Sequence, residues 1–119
     1  MTVKFQEAVL NRVKQIPKGK VTTYGEIARV ITGTVTAARA VGQAVARNQY
    51  PIIIPCHRVV RSSGDLGGYS LGLDKKIGLL SAEGIEIIGG KILNFEQVLF
   101  LFQEKNKRRK SSCVLIRSL

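Results

Sequence analysis

The chain lacks most of the features that would assign it to a membrane, secreted or metal-binding class. No apolar run in its 119 residues approaches the roughly 20 needed to cross a bilayer. The opening MTVKFQEAVLNRVKQI has charges breaking every apolar stretch, which does not fit a secretory signal. A soluble intracellular protein with no membrane partner is expected. There are only two cysteines, Cys56 and Cys113, and the second lies in a basic tail, so no disulfide framework is favoured. His57 is the only histidine; with two distant cysteines it gives no zinc spacing, and neither metal nor cofactor is expected. No internal repeat and no low-complexity linker occurs before about residue 104.

Acidic residues are scarce as well: 8 against 19 basic ones, a net charge of +11. Six of the basic residues (Lys105, Lys107, Arg108, Arg109, Lys110, Arg117) fall in the last fifteen positions. That leaves thirteen basic and eight acidic residues in 1–104, so this part is basic on its own account. A phosphate-binding surface would have this charge, although many basic proteins bind no nucleic acid. With 45% apolar residues the chain suits one packed domain over 1–104, followed by a basic, mobile tail over 105–119.

Apolar residues at Val3, Phe5, Ala8, Val9, Val13 and Ile16 predict an amphipathic first helix, broken at Pro17-Lys18-Gly19-Lys20. Thr23 with Glu26 three residues later has the capping-box pattern and opens a helix to about Ile31. Thr32-Gly33-Thr34 turns the chain, and a second helix runs from Thr36 as its cap to about Arg47. Two short helices around a glycine-containing turn, at about 23–47, have the layout of a helix-turn-helix. Ile52-Ile53-Ile54 is a β-branched run, read as a buried extended segment that Pro55 to Val60 continues. SSGDLGGYSLG (62–72) is a loop, and Leu73–Ala82 a helix with Leu73, Ile77 and Leu80 inward and Gly84 ending it. A small hairpin around Gly89-Gly90 and a final helix over Asn94–Glu104 complete the reading. The fold class is therefore mainly α with a small β element, in the manner of a winged helix.

At about 100° per residue, Ala37, Ala38, Val41, Ala44 and Val45 share one side of the second helix. The other side carries Arg39, Gly42, Gln43 and Ala46. A face this small admits a close neighbour: either a nucleic-acid groove, with Arg39 entering the base stack, or another part of the same protein.

Cys56 follows Pro55 and precedes His57 and Arg58. Proline restricts the residue before it and lacks a donor, so the strand should bend here and could present a thiol at a cleft. A thiol reacts as its thiolate and needs a base or cation nearby. The alternative is a buried cysteine packing as a small hydrophobe, the commoner fate of the residue.

Ile54-Pro55-Cys56-His57-Arg58-Val59-Val60 resembles the active-site signature of the O6-alkylguanine-DNA alkyltransferases. Gly19-Lys20-Val21-Thr22-Thr23-Tyr24-Gly25-Glu26-Ile27-Ala28, Ala37-Ala38-Arg39-Ala40-Val41-Gly42 with Asn48, Gly68-Tyr69-Ser70, Gly72-Leu73 and Glu83-Gly84 resemble further parts of that family, in order over about residues 3–88. The resemblance implies an alkyltransferase catalytic domain that repairs double-stranded DNA by one irreversible transfer of an alkyl group from guanine O6 to Cys56, with O4 of thymine as a second target left open. It implies that His57 draws the thiol proton through a water, that Glu83 orients His57, and that Asn48 ties the recognition helix to the active-site bend. Tyr24, Tyr69 and Ser70 would lie at the extruded guanine, and the carbonyls of Cys56 and Val59 would accept from its amine. Arg39 would fill the gap in the stack, with Ala37, Ala38, Gly42 and Gln43 on the minor groove. Extrusion is required because a thiol cannot reach the O6 alkyl group in line within a paired duplex.

The family commonly carries an additional N-terminal domain, whereas about twenty residues precede the signature region here, and one extra residue falls between Tyr24 and Arg39. A cytoplasmic, nucleoid-associated monomer is expected, or a nuclear one in a eukaryote. Two other functions compete. An alkyltransferase-like damage sensor would lack the acceptor, against which Cys56 stands. A helix-turn-helix regulator would need long base-reading side chains where Gly42 and Ala46 occur.

Overall fold

The computed structural model describes residues 3–50, 53–69 and 71–102. Its element order is α1 (Val3–Val13), β1 (Thr22–Thr23), α2 (Tyr24–Thr32), α3 (Ala38–Ala46), β2 (Val59–Val60), α4 (Leu73–Ala82), β3 (Ile87–Ile88), β4 (Lys91–Ile92) and α5 (Phe95–Val98). The expected class, mainly helical with small sheets, is the observed one.

The start of α2 follows from local chemistry. Thr23 is extended, and its hydroxyl accepts from the Glu26 amide at 2.9 Å, satisfying a donor that has no partner within the helix. The reciprocal half of a capping box is absent. The Glu26 carboxylate instead accepts from the Arg29 guanidinium and from the Phe102 amide, the latter at 2.9 Å. At the other end Gly33, with φ 86, closes α2 by donating to Arg29 O.

The second helix departs from its expected start. Thr34, not Thr36, is the cap, and Val35–Ala37 forms a 3-10 turn before α3 begins at Ala38. The predicted inward side holds: Val41, Ala44 and Val45 are buried against Val9, Val13, Ile27 and Ala28. Each fully buried valine contributes about 2 kcal/mol through apolar area removed from water.

Other expectations are corrected. Ile53 is 81% exposed, and Cys56–Arg58 is a 3-10 turn, so the extended segment reduces to Val59–Val60; Ile52 lies outside the described residues. The last helix spans only Phe95–Val98. Beyond it the chain is extended beside Val21, with Phe100 N donating to Val21 O and Val21 N to Val98 O. Pairing with the strand outweighs helical periodicity there. In α4, Leu73 is 48% exposed and Lys76 fully buried, whereas Leu80 is buried as expected. The hairpin β3–β4 turns at Gly89 and Gly90, both at positive φ, as the sequence suggests.

The parallel pair β1–β2, with Thr22 opposite Val59 and Thr23 opposite Val60, fixes the cysteine segment beside the start of α2. Period-two alternation sends Val59 into the α1–α3 core and Val60 into a second cluster with Val21, Leu66, Leu80, Ile85 and Ile92. Among the described residues, no helix is long and apolar enough to cross a membrane.

Candidate active site

Asn48, buried just past α3, organises the bend that follows. Its Nδ2 donates to Ile54 O at 3.0 Å and its Oδ1 accepts from Tyr50 N at 2.9 Å. Pro55, at φ −77 and ψ 65, makes an inverse γ-turn closed by Cys56 N donating to Ile54 O at 2.7 Å. The bend expected at Pro55 is present, and the 3-10 turn after it carries Cys56, His57 and Arg58.

Cys56 is only 2% exposed, yet it forms the floor of a cleft of about 560 Å³. Arg39, Gly42, Gln43 and Ala46 of α3 line it, together with Gly67, Gly68 and Tyr69 of the loop before α4. The small outer face of α3 therefore borders the thiol's cleft. Tyr24 and Arg61 complete the lining. A second cleft, of about 570 Å³, lies across the Tyr24 ring and is lined by Thr23, Gly25, Arg61, Ser62 and Ser63 among others.

Close approach explains Gly67. It holds φ 73, and a Cβ there would stand 3.3 Å from the Tyr24 hydroxyl. Gly42 is different: a Cβ would meet only the Tyr24 ring, at 3.9 Å, so the fold does not require glycine there.

The turn that bears Cys56 also carries a hydrogen-bonded cluster on Glu83. His57 Nε2 is 2.9 Å from Glu83 Oε2. Arg58 donates to both carboxylate oxygens, from Nε to Oε1 at 2.9 Å and from Nη2 to Oε2 at 2.6 Å, and its Nη1 donates to Ile16 O. Burial works to raise the Glu83 carboxyl, but the hydrogen bonds from Arg58 and His57 outweigh it and hold the group below its ordinary value. Glu83 is therefore ionised and can only accept. Burial keeps the His57 ring below its ordinary pKa despite Glu83, so the ring is neutral near pH 7. Its proton then sits on Nε2, which leaves the lone pair on Nδ1. That atom is buried and has no hydrogen-bond partner among the described residues. The cysteine itself is held as a thiol: burial raises its pKa, against the lowering effects of Asn48, the local backbone and Lys76. Burial likewise raises Tyr24, and Tyr69 to about 12, so both phenols stay protonated. A buried thiol that stays protonated needs a base to react, and a neutral imidazole with a free Nδ1 is of the right kind.

The fold thus brings Tyr24, Arg39, Gly42, Gln43, Cys56 and Tyr69 to one cleft, with His57, Glu83 and Asn48 behind it. Ala37 and Ala38 are half-buried at the start of α3, away from the lining of this cleft. Val59 O accepts from Lys76 Nζ at 2.9 Å, and Cys56 O from Val59 N, which leaves one lone pair on each carbonyl. Ser70 and the tail lie outside the described residues. Sequence reasoning missed Arg58 as the clamp on Glu83, Arg61 in the cleft, and Lys76. The signal for Lys76 was its position one helical turn before Leu80, on the apolar side of α4.

Among the described residues no group of histidine, cysteine and carboxylate side chains could hold a metal ion. A family model described as 6-O-methylguanine DNA methyltransferase, DNA binding domain, matches residues 4–85. A methylated-DNA–protein-cysteine methyltransferase of Methanosarcina acetivorans is 54% identical over 80 residues, 67% of this chain and 51% of that protein. Among solved structures, Mycobacterium tuberculosis OGT in complex with DNA superimposes with a TM-score of 0.66 at 45% identity, over 71% of this chain and 51% of that one. S. pombe Atl1, in complex with damaged DNA containing O6-carboxymethylguanine, reaches a TM-score of 0.74 at 36% identity, over 84% of this chain and 97% of that one. The chain spans about half the length of the methylated-DNA–protein-cysteine methyltransferases that it matches.

Proposed function

The chain belongs to the 6-O-methylguanine DNA methyltransferase family, and on that premise we propose that it repairs O6-alkylguanine in double-stranded DNA by transferring the alkyl group to Cys56. One observation carries this reading. The thiol lies at the floor of a cleft beside the small face of α3, with a neutral histidine, oriented by a carboxylate, next to it in the chain.

His57 Nδ1 takes the Cys56 proton through a water, and the imidazolium is stabilised by Glu83. The thiolate attacks the alkyl carbon, a carbon–sulfur bond forms, and the carbon–O6 bond breaks with its electron pair passing to the guanine, which then takes up a proton. The thioether is stable, so each molecule acts once, with no cofactor. The target base leaves the stack to reach the cleft, between Tyr69 and the α3 face. Arg39 fills the space it leaves, while Tyr24 and Ser70 contact the base. The carbonyls of Cys56 and Val59 accept from the exocyclic amine through their remaining lone pairs. The second cleft, with Arg61, Ser62 and Ser63, offers donors for the phosphates flanking the lesion.

A damage sensor that binds without transfer is a second reading, since S. pombe Atl1, in complex with damaged DNA, matches 84% of this chain over 97% of its own length. Intact mass after incubation with O6-methylguanine DNA separates the two. Transfer adds one methyl group to the Cys56 peptide; an unmodified protein that still binds the lesion supports the sensor.

A further inference from the structure

Lys76 is the one fully buried lysine among the described residues, and its surroundings are unusual. Its ammonium donates to three backbone carbonyls: Val59 O at 2.9 Å, Leu66 O at 2.5 Å and Gly68 O at 2.9 Å. Among the described residues no carboxylate pairs with it. An ammonium has three donors and no acceptor, so all three are used in tying one helix to two other segments. One of these segments follows the 3-10 turn that bears Cys56. The other is the loop that supplies Gly67, Gly68 and Tyr69 to the cleft wall. A buried charge without a counter-ion costs a fold several kcal/mol, and a structural role alone would be served by an uncharged donor.

We propose that Lys76 is a positioning residue of the transfer reaction: it clips the Leu66–Gly68 loop to the Cys56–Val59 segment and places an ammonium near the Cys56 thiol. This rests on the alkyl-transfer reading and adds a residue to it. The clip holds the Gly67–Tyr69 side of the cleft in register with the Cys56–Val59 segment. The charge favours the thiolate as the proton leaves for His57, and holding Val59 O fixes the carbonyl assigned to the guanine amine. Burial lowers the lysine's own pKa to about 8, while the nearby Cys56 favours its charged form and Arg61 opposes it. The ammonium therefore persists at neutral pH. The other groups around Cys56 are the phenols of Tyr24 and Tyr69, the His57 ring and the Asn48 amide, with the guanidiniums of Arg39 and Arg61 elsewhere in the cleft lining.

The test uses the full chain with Cys113→Ser, so that Cys56 is the single thiol. Lys76→Met removes charge and donors, and Lys76→Gln removes the charge but keeps an amide donor. Cys56 is titrated by its rate of alkylation with iodoacetamide against pH, and transfer is followed separately with free O6-benzylguanine. At pH 7, where the ammonium is charged, iodoacetamide should alkylate Cys56 more slowly in both variants because a neighbouring cation is gone, and the difference should close above the lysine's value of about 8. Transfer should fall about tenfold or more, through both KM and the limiting rate. Gln should recover part of the KM but none of the alkylation rate at pH 7. A folded variant with wild-type titration and a transfer rate within about twofold overturns the inference. If neither variant folds, the Lys76 ammonium is titrated by NMR in the unsubstituted chain. An ordinary lysine value near 10.5 overturns the buried clip. A value near 8 supports it. Failure of the parent chain to accept a benzyl group would instead sink the alkyl-transfer reading, since thiol titration does not depend on it.

Discussion

His57 Nε2 and Glu83 Oε2 lie 2.9 Å apart across 26 positions of chain, and Arg58 Nη2 donates to the same oxygen at 2.6 Å. One carboxylate thus receives a guanidinium and an imidazole together. The first keeps it ionised and the second is held in the tautomer with a free Nδ1. Glu83→Gln keeps the shape but removes the charge that stabilises the imidazolium. Alkyl transfer should slow by about 10- to 100-fold with lesion affinity nearly unchanged, since the pair lies behind the cleft. Single-turnover rates beside binding isotherms check this; an unaltered rate removes Glu83 from the mechanism.

Cys56→Ala should abolish transfer and leave damaged-DNA binding intact, because the thiol forms the floor of the cleft and is not among its cationic groups. The lost sulfur leaves only a small void, at a cost of about 1 kcal/mol. Mass spectrometry and a thermal melt read the two effects. Methylation of Cys113 with Cys56 untouched would overturn the assignment.

Two glycines should behave oppositely. Gly42→Ala meets nothing closer than the Tyr24 ring at 3.9 Å, so stability should hold or rise by up to about 1 kcal/mol from helix propensity. Its added methyl group should nonetheless slow repair of duplex DNA while sparing free O6-benzylguanine, if DNA lies close to this face. Gly67→Ala combines φ 73 with a 3.3 Å approach to the Tyr24 hydroxyl, and should cost about 1–3 kcal/mol and impair both substrates. Equal rates on duplex and free base in Gly42→Ala would exclude close docking on α3.

Arg39 is exposed on the outer face of α3 at the cleft. Arg39→Ala should slow repair in a duplex much more than reaction with free O6-benzylguanine, which needs no extrusion from a stack. Equal loss on both substrates would assign Arg39 to the pocket or the fold.

The buried neutral His57 also predicts acid sensitivity. Its folded pKa lies below the unfolded value of about 6.5, so the unfolded chain binds protons first as pH falls. The stability this ring contributes is complete above about pH 6.5 and is lost as pH drops through the depressed folded value. Transfer should decline over the same window as the base becomes protonated. Thermal melts and single-turnover rates between about pH 5 and 7.5 check both. His57→Gln should flatten the stability loss in that range, leaving the later one from Glu83 below its ordinary carboxylate value. A variant melting as steeply with acid as the parent would contradict it.

Local chemistry alone determined a good part of this protein. The Thr23 cap, the Gly33 stop, the inward face of α3, the turn at Gly89-Gly90 and the bend at Pro55 each depend on residues within a few positions, so they were legible in the sequence. The cysteine proposed as acceptor and its neighbours stood out too, through the motif that carries the family resemblance. What remained hidden depends on distant partners. Glu26 turns from Thr23 to the Phe102 amide, 76 positions away, and the chain after Val98 becomes extended because Val21 offers it a strand. Ile53 faces outward although it is as apolar as Ile54. Lys76, charged on the apolar side of its helix, is held inside by three carbonyls that no sequence pattern connects. Helix caps, turns and amphipathic faces are short-range choices of the backbone. Which buried polar group finds which partner is decided only when distant segments pack together, because unpaired polar groups are costly in the interior and each must be satisfied there.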